Sequence, residues 1–166
     1  MHSIKRAMRH LFTTTATGRR AFPADSLKAI QKAIAKGEST HRAEVRLIVE
    51  PALGFRDAWS GMTSRQRARG LFAHYEIWDT EENCGILIYL NLADHKVEII
   101  SDRGVGRMID AEQWRAVCHT MTKGFSQGEF HDSTIAGIEQ LNGMLTAVLP
   151  DQGAAPNQLS NRPILL

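Results

Sequence analysis

Cysteine is nearly absent. Cys84 and Cys118 are the two in 166 residues, too few for a disulfide framework or a cysteine-built zinc site. Cys84 opens a strand pattern and Cys118 falls in a helical one, so both read as reduced, small, buried or half-buried side chains. No apolar run approaches the ~18 residues needed to span a bilayer, and the N-terminus lacks the continuous apolar stretch of a secretory leader. The catalytic and nucleotide-binding signatures are missing too. The seven histidines form no HExxH or other metal-binding spacing, and there is no GxSxG elbow, Gly-rich phosphate loop, Cys-x5-Arg loop or aspartyl-phosphatase signature. Aromatics do not interleave with bases along one strand, which argues against stacking on single-stranded nucleic acid.

Acid is absent from the first 20 residues, which hold Lys5, Arg6, Arg9, Arg19 and Arg20; the remaining 15 bases face 18 acids. This is a mildly acidic body carrying a basic arm, not a domain with a wholly basic face, and no nucleic-acid partner is expected. The apolar content of 43% and charge of 23% suit one globular domain able to bury a real core.

Periodicity divides the chain. Ile4, Ala7, Met8, Leu11 and Phe12 follow helical spacing with Lys5, Arg6 and Arg9 on the polar side, so residues 1–20 read as a basic amphipathic arm in which Leu11 and Phe12 need burial. Thr13–Gly18 reads as a linker. A helix begins near Pro23, and Glu44–Glu50 alternates as a strand. Pro51–Gly61 carries two turn glycines, and Ser64–Tyr75 is helical, with Arg65, Arg67 and Arg69 on its solvated sides. Gly85–Asn91 is an Ile- and Leu-rich run of strand length, and Lys96–Ile100 alternates as its hairpin partner. Val105–Met108 is a candidate short edge strand. Asp110 is a good N-cap for a helix over Ala111–Phe125, and a last helix covers His131–Leu149. Trp59, Trp78 and Trp114 are expected as core or rim anchors. Residues 21–150 form the domain, and 151–166, with two prolines and many polar residues, read as a flexible tail. The fold class is α/β: a small mixed sheet sandwiched by α-helices.

Antiparallel pairing brings the two ends of the hairpin together. Asp79, Glu82 and Asn83 then stand near Asp102, with Asp110 just beyond, while Gly85 and Gly104 permit close backbone approach. Oxygen donors of this kind suit Ca²⁺ or Mg²⁺. Alternatively Asp79 caps a turn, Asn83 shapes the strand entry and Asp102 pairs with Arg103. Asp102 as nucleophile or base and Arg103 as anion clamp would suit phosphate chemistry.

Trp78-Asp79-Thr80, Asn83-Cys84-Gly85-Ile86-Leu87-Ile88-Tyr89-Leu90 and Val97-Glu98-Ile99-Ile100-Ser101-Asp102-Arg103-Gly104 resemble the TPM domain family. The resemblance runs from about Ile4 to Pro150 and includes Arg20-Ala21-Phe22-Pro23 and Phe125-Ser126-Gln127-Gly128. It is closest to a short bacterial subgroup without signal peptide or membrane anchor, which implies the cytoplasm. It also implies calcium in a cleft near the hairpin loop, and an acid phosphatase activity described for some plant members. Cys84 stands where the subgroup usually has Asn, and Cys is a poor Ca²⁺ ligand.

The leading expectation is a non-catalytic interaction module that binds a divalent cation through Glu82, Asn83 and Asp102, with Asp79 or Asp110, and acts with a membrane-associated partner. The alternatives are a metal-assisted phosphatase using Asp102 and Arg103, and a purely structural interaction domain. Peripheral membrane contact through residues 1–12 is a further expectation.

Overall fold

The structure is a computed structural model that describes residues 2–153 and 156–166, with backbone alone for 2 and 3. The elements run α1 (His2–Phe12), α2 (Thr15–Ala21), α3 (Ala24–Glu38), β1 (Glu44–Glu50), α4 (Phe55–Trp59), α5 (Ser64–His74), β2 (Gly85–Asn91), β3 (Lys96–Ser101), α6 (Arg103–Gly106), α7 (Ala111–Gln127), α8 (Phe130–Val148) and β4 (Ile164–Leu165). The sheet order is β3-β2-β1-β4. β1 pairs in parallel with β2 and with β4, and β2 pairs antiparallel with β3 from Ile86–Ser101 to Asn91–Lys96.

Both faces of the sheet are covered, which is why the central strands read as continuous apolar runs rather than alternating ones. Val45, Leu47 and Val49 of β1 and Ile86, Ile88 and Leu90 of β2 point into the larger core, against Ile30 and Ile34 of α3, Val117 and Met121 of α7, and Ile138 and Leu141 of α8. Ile48, Leu87 and Tyr89 point the other way onto Ala68 and Leu71 of α5 and Ile77. Phe22 is fully buried and meets the Phe125 and Phe130 rings at 6.3 and 6.1 Å, both edge-on, the geometry that the ring quadrupole favours.

Several expectations are corrected. The linker at 13–18 is mostly α2, started by Thr14 at the N-cap, whose N–H reaches the Thr17 hydroxyl. The turn region 51–61 contains α4. In place of an edge strand at 105–108 stands the short helix α6, begun by Asp102. Arg67 leaves the solvated side of α5 for Glu50. Trp59 and Trp78 are exposed, and so are Leu11 and Phe12. Met1 of the arm and residues 154–155 of the tail lie outside the described residues.

The tail is the largest difference. Ile164–Leu165 adds β4 to β1, and the backbone N–H groups of Gln158 and Leu159 donate to the Glu44 carboxylate at 3.1 and 3.0 Å. Glu38 accepts from the Asn161 amide and from the Val45 N–H. Composition alone marks such a segment as unable to build a core, but here an existing sheet edge and two carboxylates hold it. Burial pushes the Glu38 carboxyl up to about 7, with Glu44 adding to the rise and the hydrogen bonds from Val45 and Asn161 opposing it. A raised acid pKa in the folded state means that the contribution of Glu38 to the stability of the fold is complete below its ordinary 4.5 and is lost as pH rises through about 7. Glu38→Gln, which cannot ionise, is therefore expected to flatten the fall in stability between pH 5.5 and 8.5 read as urea midpoints; an equal fall in both proteins would contradict this.

Candidate functional site

The hairpin does bring its two ends together. The Asn83 carbonyl accepts from the Gly104 N–H at 2.9 Å, and Asp102 N–H donates to Gly85 O at 2.9 Å. A side chain at Gly104 would put its Cβ 2.5 and 2.6 Å from the Glu82 and Asn83 carbonyl oxygens, so glycine there lets the loop close. Asn83 adopts a left-handed backbone, φ 52°, which Asn tolerates better than most residues.

The carboxylates, however, are aimed at other work. Glu82 is ion-paired with Arg42. Asp102 sits at the N-cap of α6 and accepts the Arg103 N–H at 2.6 Å. Asp110 is the N-cap of α7 and its N–H donates to Gln113. Asp79 is exposed in a turn, its N–H donating to Glu76 O. Among the described residues no three His, Cys, Asp or Glu side chains come together as a metal cluster, and Glu82, Asp102 and Asp110 are engaged by an ion pair and two helix caps. Asn83, Arg103, Gly104, Arg107 and Met108 line an open basin of about 450 Å³. Two guanidinium groups there suit an anion. Asp102 is already engaged by a backbone N–H, and among the described residues no carboxylate or imidazole lines the basin.

A larger depression follows the free edge of β3. It holds about 610 Å³ between α5 and α7, with Arg65 and Arg69 on one wall, Trp114, Arg115 and Cys118 on the other, and Val97–Ser101 as its floor. Asp102 and Gly85 are a hydrogen-bonded pair of the antiparallel ladder. Pairs alternate, so Glu98 and Ile100 turn their backbone groups to β2, while Val97, Ile99 and Ser101 present theirs to the groove. Arg65 reaches Glu98 at 3.2 Å and Arg115 pairs with Glu112. Arg69 makes no ion pair among the described residues. Burial, then the charge of Glu98, pushes the Cys118 thiol up to about 11, so it is no thiolate nucleophile at neutral pH.

A third polar assembly was not legible as a site. It runs through the carboxyl ends of β1 and β2. Arg67 donates to both Glu50 oxygens, Nη2 to Oε1 at 2.7 Å and Nε to Oε2 at 3.0 Å, and the Tyr89 hydroxyl donates to Oε2 at 2.5 Å. Asn91 Nδ2 donates to Tyr89, and Asn91 Oδ1 accepts the Asp94 N–H. Asp94 then receives Arg6 at 2.7 Å and Arg9 at 2.8 Å, with His10 Nε2 at 3.1 Å. His10 Nδ1 accepts the Leu53 N–H, which places the ring proton on Nε2, near Asp94 but off the line of a hydrogen bond. Burial lowers the His10 pKa against the pull of Asp94. The phenol of Tyr89 is raised far above its ordinary value, by burial first and then by the Glu50 charge.

Asp94 thus clamps α1. Burial pushes its pKa up, but the Arg6 hydrogen bond, the His10 and Arg6 charges and the Arg9 hydrogen bond outweigh that and hold it at about 2. Because the folded value is depressed, this stabilisation is complete above the ordinary 3.8 and is lost as pH falls through about 2. Asp94→Asn removes the charge the cations share. Amides of α1 are expected to exchange on the order of tenfold faster while β1 and β2 keep their protection. Equal exchange in both proteins would contradict the clamp.

Fold and rim together define a small mixed α/β sandwich with a glycine-tight hairpin rim and an open strand edge at β3. The chain belongs to the TPM domain family, whose model matches residues 19–144. It is similar to a solved structure, the NMR structure of the BA42 protein from the psychrophilic bacterium Bizionia argentinensis, with a TM-score of 0.77 and 24% identity, covering 87% of this chain and 94% of that one. No curated protein matches the chain.

Proposed function

We propose that this TPM domain is a non-catalytic cytoplasmic interaction module that takes an extended acidic segment of a membrane-associated partner along the free edge of β3. The observation that carries this reading is the groove with arginines on both walls at the outer edge of β3, where among the described residues no further strand pairs with Val97–Ser101. An edge strand is a template for another strand. Added strands draw affinity from main-chain hydrogen bonds and specificity from the flanking side chains, and here Arg69, joined by Arg65 and Arg115 as they exchange Glu98 and Glu112 for the ligand, selects acid. The test is binding of a labelled octapeptide of alternating Glu and Val, followed by anisotropy. Reversing Arg69 and Arg115 to Glu should weaken it about tenfold or more, each exposed charge being worth up to about 1 kcal/mol. Equal affinity in the reversed protein would sink the reading.

A divalent cation held by Glu82, Asn83 and Asp102 is the second reading. It is favoured by the exposed run Asp79, Glu81 and Glu82 in the loop that closes on Gly104. It requires Glu82 to leave Arg42. Arg42→Ala should therefore tighten Ca²⁺ binding several-fold, read as amide shifts over 79–85 and 101–110. Weaker or absent binding in Arg42→Ala would retire the cation.

A further inference from the structure

Packing turns α1 inside out. Ile4, Met8, Leu11 and Phe12 recur at helical spacing, so they form one stripe, and that stripe faces solvent with 43–72% of each residue exposed. The docked side is the one carrying Arg6, Ala7 and His10. Arg6 holds Asp94 and the Ala58 and Met62 carbonyls, and His10 takes the Leu53 N–H. Ion pairs and hydrogen bonds seat the helix. Its apolar side is left over.

The neighbouring helix extends the same surface. Ala7 of α1 is buried with Leu53 and with Ala58 of α4. On α4, Phe55 and Trp59 are 48% and 52% exposed, with ring centroids 5.9 Å apart in a stacked arrangement. One exposed apolar side chain is ordinary. Six on two helices packed against each other are of the kind that marks a docking surface.

The charges around the patch say what covers it. Lys5, Arg9 and Arg56 are exposed beside it, Arg19 and Arg20 are exposed on α2, and the first 20 residues contain no acid. The acid on α4, Asp57, is half-buried. Aromatic and aliphatic side chains on one face with cations flanking them match the boundary between acyl chains and anionic headgroups. We propose that the α1–α4 face lies on an anionic lipid surface, with Leu11, Phe12, Phe55 and Trp59 entering the headgroup boundary and Lys5 and Arg56 at the phosphates, while Arg9 stays on Asp94. Among the described residues no helix is long and apolar enough to cross a membrane, so this contact is peripheral. It deepens the membrane part of the proposed function and shares no residue with the β3 groove. The octapeptide assay reads one surface and the vesicle assay the other, and each can fail alone.

The experiment is co-sedimentation of the full chain with vesicles of phosphatidylcholine containing about 30% phosphatidylglycerol, compared with phosphatidylcholine alone. Partition is expected on the anionic vesicles, to fall several-fold when salt is raised from about 0.1 to 0.5 M, and to be slight on the neutral ones. Leu11→Ser with Phe12→Ser, both at exposed positions, should cut it about tenfold or more with an unchanged melting curve. Trp59→Ser should weaken it as well. No binding to anionic vesicles at millimolar lipid overturns the proposal, as does equal binding by the double variant. Self-association abolished by the double variant, with no lipid binding, would overturn it in favour of a second copy on the same face.

Discussion

Glu50→Ala is expected to cost about 2–3 kcal/mol, less than the roughly 3–5 kcal/mol for breaking a fully buried ion pair, because the Arg67 side chain is 34% exposed and water takes up part of its lost partner. Glu50 is 6% exposed and Tyr89 fully buried. The substitution strands the Arg67 guanidinium, which has lost its bidentate acceptor, and leaves the Tyr89 hydroxyl without one. Asn91 and Asp94 are next in line, so loosening should spread toward α1. For a chain of this length the loss corresponds to a melting temperature lower by several degrees. Urea unfolding with an unchanged slope reports it. Replacing Glu50, Arg67 and Tyr89 together by Leu, Met and Phe should recover most of the loss, because the cost lies in unpaired groups more than in missing attraction. A loss under about 1 kcal/mol for Glu50→Ala would mean the assembly is solvated and not structural.

Gly85→Ala is expected to be about as damaging, for a different reason. The added Cβ would overlap the carbonyl oxygen of Ile77, a main-chain atom of a fully buried residue. A side chain could rotate away; a backbone oxygen cannot. Ile77 N–H is itself tied to Phe72 O, and Gly85 begins the strand that pairs with both β1 and β3. Overpacking ordinarily costs 1–3 kcal/mol, and a clash with immobile backbone belongs at about 3 kcal/mol or above. The same substitution at Gly70, where nothing stands within 4 Å, should instead stabilise α5 by about 0.5–1 kcal/mol through helix propensity. Thermal melts of the two variants separate the effects: matched melting temperatures would show that the loop before β2 yields.

Strands and long helices were readable because their signal is apolar periodicity, which burial on both sheet faces imposes directly. β1 and β2 begin and end where the residue pattern places them. The glycine contacts at 85 and 104 were also readable, since a glycine flanking a strand implies close approach. What escaped depends on partners distant in sequence. Arg67 looks solvated on a helical wheel, and only the fold reveals Glu50 beneath it. Asn91 closes an apolar run, and nothing nearby says that Tyr89 and Asp94 will use both ends of its amide. Amphipathicity found the α1 helix and the burial of Ala7, but not the exposure of Leu11 and Phe12. A stripe of Ile4, Met8, Leu11 and Phe12 implies a buried face only when no stronger anchor exists, and Asp94 supplies one to the opposite side. The rim was half legible: proximity of 83 and 102–104 followed from the hairpin, whereas the choice of each carboxylate between a cap, an ion pair and a ligand did not.

The most direct measurement is the amide spectrum of the isotope-labelled full chain titrated with the Glu-Val octapeptide. Saturable shifts at Val97, Ile99 and Ser101, whose N–H groups face the groove, with smaller changes at Glu98 and Ile100, are the predicted result. Shifts confined to 103–108, or none at millimolar peptide, would contradict strand addition at the β3 edge.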